Sequence, residues 1–185
     1  MRRKNFIFLL LSLSALFLFA QPKLHAQDNG IQPLPRQFRD FSLGMNLDSL
    51  RESLTNDALF NFRGERDVSF LPVQQQSLVE TGGSSFIRRA FFQLMDEGVF
   101  IMSFTLNTAI IDHFSVFTHF VQRYGEPTFL NPREAVWENG NTRISIERPL
   151  TVRYIDTDVF NDILNQAALN QGQQFQLRQE FLNDF

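Results

Sequence analysis

The 185-residue chain contains no cysteine. That excludes a disulfide framework, a thiolate metal site, a cysteine nucleophile and a lipid-anchored cysteine. Lysine is nearly as scarce. Lys4 and Lys23 lie near the start, and from residue 27 onward every basic side chain is Arg. Histidine is limited to His25, His113 and His119, and tryptophan to Trp137. No Gly-rich phosphate loop, nucleophile elbow or metal-ligand spacing is present, so no catalytic residue, cofactor or metal ion is expected. Positive charge is also short. The net charge is −3; residues 1–26 hold four bases (Arg2, Arg3, Lys4, Lys23) and no acid, so their removal would leave −7. An acidic chain is a poor match for nucleic acid, and a protein partner is expected instead.

What is present begins with a leader. Arg2, Arg3 and Lys4 precede an apolar or Ser-containing run of 15 residues, Phe6 to Ala20. As a helix it would span about 22 Å, less than the ~30 Å hydrocarbon core. Residues 1–26 therefore read as a cleaved signal peptide, with Ala26 as the first choice of cleavage point and Ala20 the second. The expected location is periplasmic or secreted. A chain left uncleaved would be an inner-membrane-anchored periplasmic protein, the one route to a membrane in this reading. The segment 27–40, with Gly30, Pro33 and Pro35, reads as a linker.

The body reads as a helix-plus-meander unit used twice. Asn46 is a plausible N-cap for a helix ending near Asn56, with Leu47, Leu50 and Leu54 as its stripe. Val68, Phe70 and Leu71 read as a return to the core. A short strand at Leu78–Val79 and longer ones over 86–95 and 99–106 then form a meander. Phe86, Ala90, Phe92 and Leu94 share one face of the second strand; Phe100, Met102, Phe104 and Leu106 share one face of the third. The second unit repeats this order. Ile110, Ile111, Phe114, Phe117, Phe120, Val121 and Tyr124 recur at helical spacing, and Gly125 and Pro127 stop the helix. Strands follow at 135–137, 143–147 and 151–155, with Asn139-Gly140 as a tight turn. The predicted fold is α+β: one antiparallel sheet over 41–156 (units 41–106 and 107–156), with helices on one face. Residues 157–185 add a C-terminal helix to Leu169 and a polar tail that docks as a short helix or frays. With 22 Phe in the chain, aromatic packing should dominate the core.

Candidate binding residues follow from Arg chemistry. Arg63, Glu65, Arg66 and Asp67 surround Gly64, and Arg148 stands before Pro149. Guanidinium groups there suit an anion or a partner protein, and the alternative is a turn held by local ion pairs. Arg88 and Arg89 sit in a Phe-rich strand, where a buried Arg would need a carboxylate, with Glu80 the candidate. His113 and His119 point to different sides of one helix and suit surface or helix-end roles. Trp137 suits core packing. Function is expected to be a non-enzymatic binding or envelope-assembly role, through the sheet face or the Arg63–Asp67 loop. A carboxylate-dependent hydrolase is the rival reading.

Several stretches carry a resemblance: 41–48 (FSLGMNLD), 63–72 (RGERDVSFLP), 111–117 (IDHFSVF), 124–127 (YGEP) and 147–156 (ERPLTVRYID). Together they resemble a group of small exported spirochaete proteins over about 38–160. The resemblance implies an envelope location and names no activity. More loosely, the Gly-Met-x-x-Asp start and the Tyr-Gly-x-Pro helix end are similar to the α/β units of two other groups. These are the periplasmic outer-membrane-assembly lipoproteins and β-lactamase inhibitory protein. This chain lacks the cysteine that the lipoproteins carry.

Overall fold

The computed structural model describes residues 33–70, 76–96 and 98–183. The leader, the start of the linker, Leu71 and the last two residues lie outside them. In chain order the elements are β1 (Gln37–Phe38), β2 (Phe41–Ser42), α1 (Leu47–Asn56), a 3-10 turn (Gly64–Asp67), β3 (Val68–Phe70), β4 (Gln76–Gly82), β5 (Ile87–Met95), β6 (Gly98–Leu106), α2 (His113–Tyr124), β7 (Phe129–Leu130), β8 (Glu134–Asn139), β9 (Thr142–Glu147), β10 (Thr151–Asp156) and α3 (Thr157–Asn183). β3 to β10 make one eight-stranded antiparallel sheet in the order β3-β4-β5-β6-β10-β9-β8-β7. The fold is α+β. Each unit's last strand meets the other's at a seam, where Val152 lies opposite Phe104 and Tyr154 opposite Met102.

Local chemistry sets both helix starts. Asn46 caps α1 by accepting from the Ser49 N–H at 2.8 Å, and Asp112 caps α2 through the Ser115 N–H at 2.8 Å. Each satisfies a donor that the helix leaves free. The second cap corrects the sequence reading, which began the helix at Ile110. Ile110 instead lies in a turn whose N–H bonds to the Asn107 carbonyl, and it is half exposed. The apolar stripe shifts with it. Val116 and Phe120 are buried, while Phe114 is 73% exposed. Gly125 ends α2 at φ 80°, with its N–H on the Val121 carbonyl. The β8–β9 turn has Gly140 and Asn141 at its tip, one residue later than expected, with Gly140 at φ 59°.

The main core lies between the sheet and α1 plus α2. Phe104 is its hub, with ring centroids 5.7 Å from Phe92, 6.2 Å from Tyr154 and 4.4 Å from Phe38. Burial pushes the Tyr154 phenol well above its ordinary pKa. Phe38 falls in the stretch read as a linker, so residues next to β2 pack on the body. Arg36 pairs there with Asp156, and Arg39 with the buried Asp57 at 2.6 Å.

A second, smaller cluster covers part of the opposite face. Phe100, Ile101 and Ile155 pack there against Val159, Phe160 and Ile163 of α3. Phe100 was expected with Met102 and Phe104. The β5–β6 register slips between Gln93 and Leu94, which leaves Phe100 unpaired and turns it to the far side. A slip between Ile87 and Arg89 likewise buries Ile87 and leaves Phe86 half exposed. α3 is one helix of 27 residues, where a 12-residue helix and a tail were expected. Among the described residues no helix is long and apolar enough to cross a membrane.

Candidate functional site

The expected binding residues do not gather in one place. Gly64–Asp67 forms a 3-10 turn beside β3, at one edge of the sheet. Asp67 is spent inside that turn. Its carboxylate is buried and accepts from the Arg63 backbone N–H at 3.0 Å and the Arg63 Nε at 2.8 Å. Glu65 reaches Arg51 of α1 at 2.8 Å. Only Arg66 projects from the loop without a partner among the described residues. Phe70, expected to re-enter the core, is 72% exposed because β3 is an edge strand. Arg88 and Arg89 are both exposed, and Arg89 meets Glu80 at 3.4 Å on the surface.

Arg148 sits near the other edge, at the end of β9. From β3 to β9 is five strand steps, about 24 Å at ~4.8 Å each. There it lines an open cleft of about 480 Å³ with Asp112, His113, Phe114, Phe117, Leu130, Asn131, Glu134 and Ala135. The α2 start supplies one wall and the β7–β8 loop the other. Arg148 Nε donates to the Pro132 carbonyl at 3.0 Å, and among the described residues no carboxylate pairs with its guanidinium. Around it stand Phe114 at 73% and Leu130 at 60% exposure. An apolar shelf next to an uncommitted cation suits an apolar side chain that neighbours a carboxylate.

The titratable groups of the cleft are mostly committed. Asp112 accepts from the Ser115 hydroxyl at 2.7 Å and from its N–H, and these bonds hold its pKa below the ordinary value. His113 lies near-parallel to Phe117, with centroids 6.5 Å apart. Its Nε2 is buried without a hydrogen-bond partner. Burial first, and the Arg148 charge second, push its pKa below 6.5. The folded chain thus takes up this proton later than the unfolded one as pH falls. The His113 contribution should be complete above about pH 6.5 and shrink as pH drops through the folded-state value. His113→Gln should flatten that part of the profile when urea midpoints are compared between about pH 7.5 and pH 5.

A smaller hollow of about 350 Å³ lies on the far face of the sheet, beside α3, and includes Phe91, Ser103, Thr105, Thr151 and Arg153. Its charged and hydroxyl groups are tied to one another or to Glu147. Arg153 donates to Ser103 Oγ at 3.1 Å and meets Glu147 at 3.0 Å, and Thr105 bonds Thr151 at 3.3 Å. Among the described residues no three His, Asp or Glu side chains gather as a metal site requires.

Comparison with known protein families gives one match. A family model described as the TP0088 domain covers residues 36–166. The chain belongs to the TP0088 domain family. This is a Treponema-type family, in line with the spirochaete-type likeness of the sequence. The TP0088 domain opens at Arg36, where the Asp156 ion pair and the β1–β2 hairpin begin, and it takes in the whole sheet and the packed turns of α3. No curated protein matches the chain. No solved structure matches it either, so the looser likenesses to assembly lipoproteins and β-lactamase inhibitory protein have no counterpart here. The cleft of the TP0088 domain also contains residues that sequence reasoning missed. Phe114 was hidden in an apparent helix stripe. Leu130 sits between Pro127 and Pro132, and that bracketing was the available sign of a short exposed edge.

Proposed function

We propose that this protein is a non-enzymatic binding module of the cell envelope, and that it takes a partner protein at the cleft between α2 and β7. The observation that carries the site is the exposed Phe114–Leu130 shelf beside the unpaired Arg148 guanidinium. The envelope location rests on the leader-like residues 1–26. A carboxylate-dependent hydrolase would need two free acids facing each other. The cleft has two acids: Asp112 is tied to the start of α2, Glu134 accepts from the Asn131 side-chain amide at 3.4 Å, and the neighbouring His113 Nε2 is sealed from solvent. Binding is therefore the better-supported reading.

The test is site-specific photocrosslinking in cells at native expression level. A photoreactive residue at position 114 or 130 should capture the same protein, and one at the exposed Glu52 of α1 should not. Arg148→Ala should cut the yield about tenfold or more, the scale of losing an interface hot spot. Adducts of equal strength at all three positions, or none at 114 and 130, would remove the cleft as the contact surface.

A further inference from the structure

Arg148 does not stand alone at the end of β9. Its backbone N–H donates to the Arg133 carbonyl at 2.8 Å, one step past the Glu134–Glu147 pair of the β8–β9 ladder. Arg133 and Arg148 are therefore cross-strand neighbours. Alternation from Ala135 and Ile146 puts both on the face that carries α2. Both are exposed, and among the described residues neither meets a carboxylate. Like charges set opposite each other on one face repel. Arg148 is also held in place. Its Nε donates to the Pro132 carbonyl at 3.0 Å, which leaves its two Nη groups without a partner among the described residues. The acids of the cleft do not offset this pair. Asp112 is bonded to Ser115, and Glu134 accepts from Asn131. At the His113 ring the Arg148 charge is a stronger influence than that of Asp112.

We propose that the cleft holds an acidic side chain of the partner protein, clamped between Arg133 and Arg148, while the aromatic residue next to it in sequence lies on the Phe114–Leu130 shelf. The clamp presupposes the cleft reading given above and adds the chemistry of the partner. One carboxylate has two oxygens, so it accepts from both guanidinium groups and relieves their repulsion. The shelf is apolar and exposed, and an aromatic ring buried there is the second anchor. A chain-terminal carboxylate fits less well. Such ends are seated on free backbone N–H groups, and those nearby are spent. Asn131 Oδ1 accepts from the N–H groups of Arg133 and Glu134 at 2.7 and 2.9 Å. Asp112 takes the N–H of Ser115, and the Arg133 carbonyl takes that of Arg148.

The test is an NMR titration of the full chain with capped peptides. The probe is acetyl-Gly-Ser-Asp-Phe-Ser-Gly-amide, and the controls carry Asn in place of Asp or Ala in place of Phe. The probe should bind about fivefold more tightly than the Asn control, the scale of one exposed ion pair. It should bind about tenfold more tightly than the Ala control, the scale of a partly buried ring. A double variant, Arg133→Gln with Arg148→Gln, should bind the probe and the Asn control alike; both positions are exposed, so the fold is kept. His113 reports where the carboxylate sits. The charged groups around it are Asp112 on its own helix, Glu134 on β8 and Arg148 after β9. A carboxylate at the clamp offsets the Arg148 charge, so the His113 pKa should rise with the probe and not with the Asn control. Equal binding of the probe and either control, a preference that survives in the double variant, an unmoved His113, or no binding at all would overturn the clamp. If the photocrosslinks at 114 and 130 still form in that case, the cleft stands as a contact surface without it; if they are absent too, both fall.

Discussion

Trp137→Ala should lower the free energy of unfolding by about 4–6 kcal/mol, the largest single-site loss expected in the chain. Trp137 lies on β8 beneath α2, with its ring 5.4 Å from Phe120 and 6.0 Å from Phe117, and is 2% exposed. Emptying that space accounts for ~3–5 kcal/mol. The indole N–H also donates to the Gly125 carbonyl at 2.8 Å, and loss of that bond adds about 1 kcal/mol. The bond ties the end of α2 to the sheet, so α2 itself should loosen. Trp137→Phe keeps most of the ring contact and should cost only ~1–3 kcal/mol. Urea unfolding followed by far-UV circular dichroism measures both, since no other Trp reports by fluorescence. A loss below about 1.5 kcal/mol for Trp137→Ala would mean that the residue is not buried under α2.

Phe104→Ala should cost about 3–5 kcal/mol, against a total stability of ~5–15 kcal/mol for a domain of this kind. The ring is 1% exposed and touches aromatic residues from three separate strands, with Phe92 on β5, Tyr154 on β10 and Phe38 on β1. Its loss weakens both units at once. Phe86→Ala is the informative partner. Strict alternation along the strand would bury Phe86 beside Ala90 and make it nearly as costly. The slip between Ile87 and Arg89 instead leaves it 49% exposed, so its loss should cost ~1 kcal/mol or less. Equal effects from the two variants would contradict the bulge.

Those two phenylalanines show where the sequence was legible. Long alternating strands and a Gly-x-Pro helix stop announce themselves, because period and punctuation are local properties. The two meanders, the α1 cap and the order of elements could be read in that way. A bulge is one extra residue with no compositional mark, yet it sends Phe100 and Phe86 to the wrong faces. β3 and β7, at three and two residues, are too short to display a period. The start of α2 misleads for another reason. Ile110 and Ile111 stand at helical spacing from Phe114, but Asn107 and Asp112 take the local backbone bonds and delay the helix. The candidate site was legible only as Arg148. Its companions come from 112–117 and 130–135, and only the folded sheet brings these stretches to one edge. The Arg63–Asp67 cluster looked like a surface because its charges are dense. Folding turns Asp67 inward to hold the loop together.

All of this depends on the β6–β10 seam, which makes one body of two similar units and sets the cleft and the far face on a common frame. Amide hydrogen exchange of the full chain at graded urea tests it directly. Met102, Phe104, Val152 and Tyr154 should be among the slowest to exchange, and should open with the same free energy as Val79 and Ala90 on one side and Trp137 and Ile144 on the other. If the strands of 41–106 and those of 107–156 instead opened at clearly different urea concentrations, the shared sheet would be contradicted.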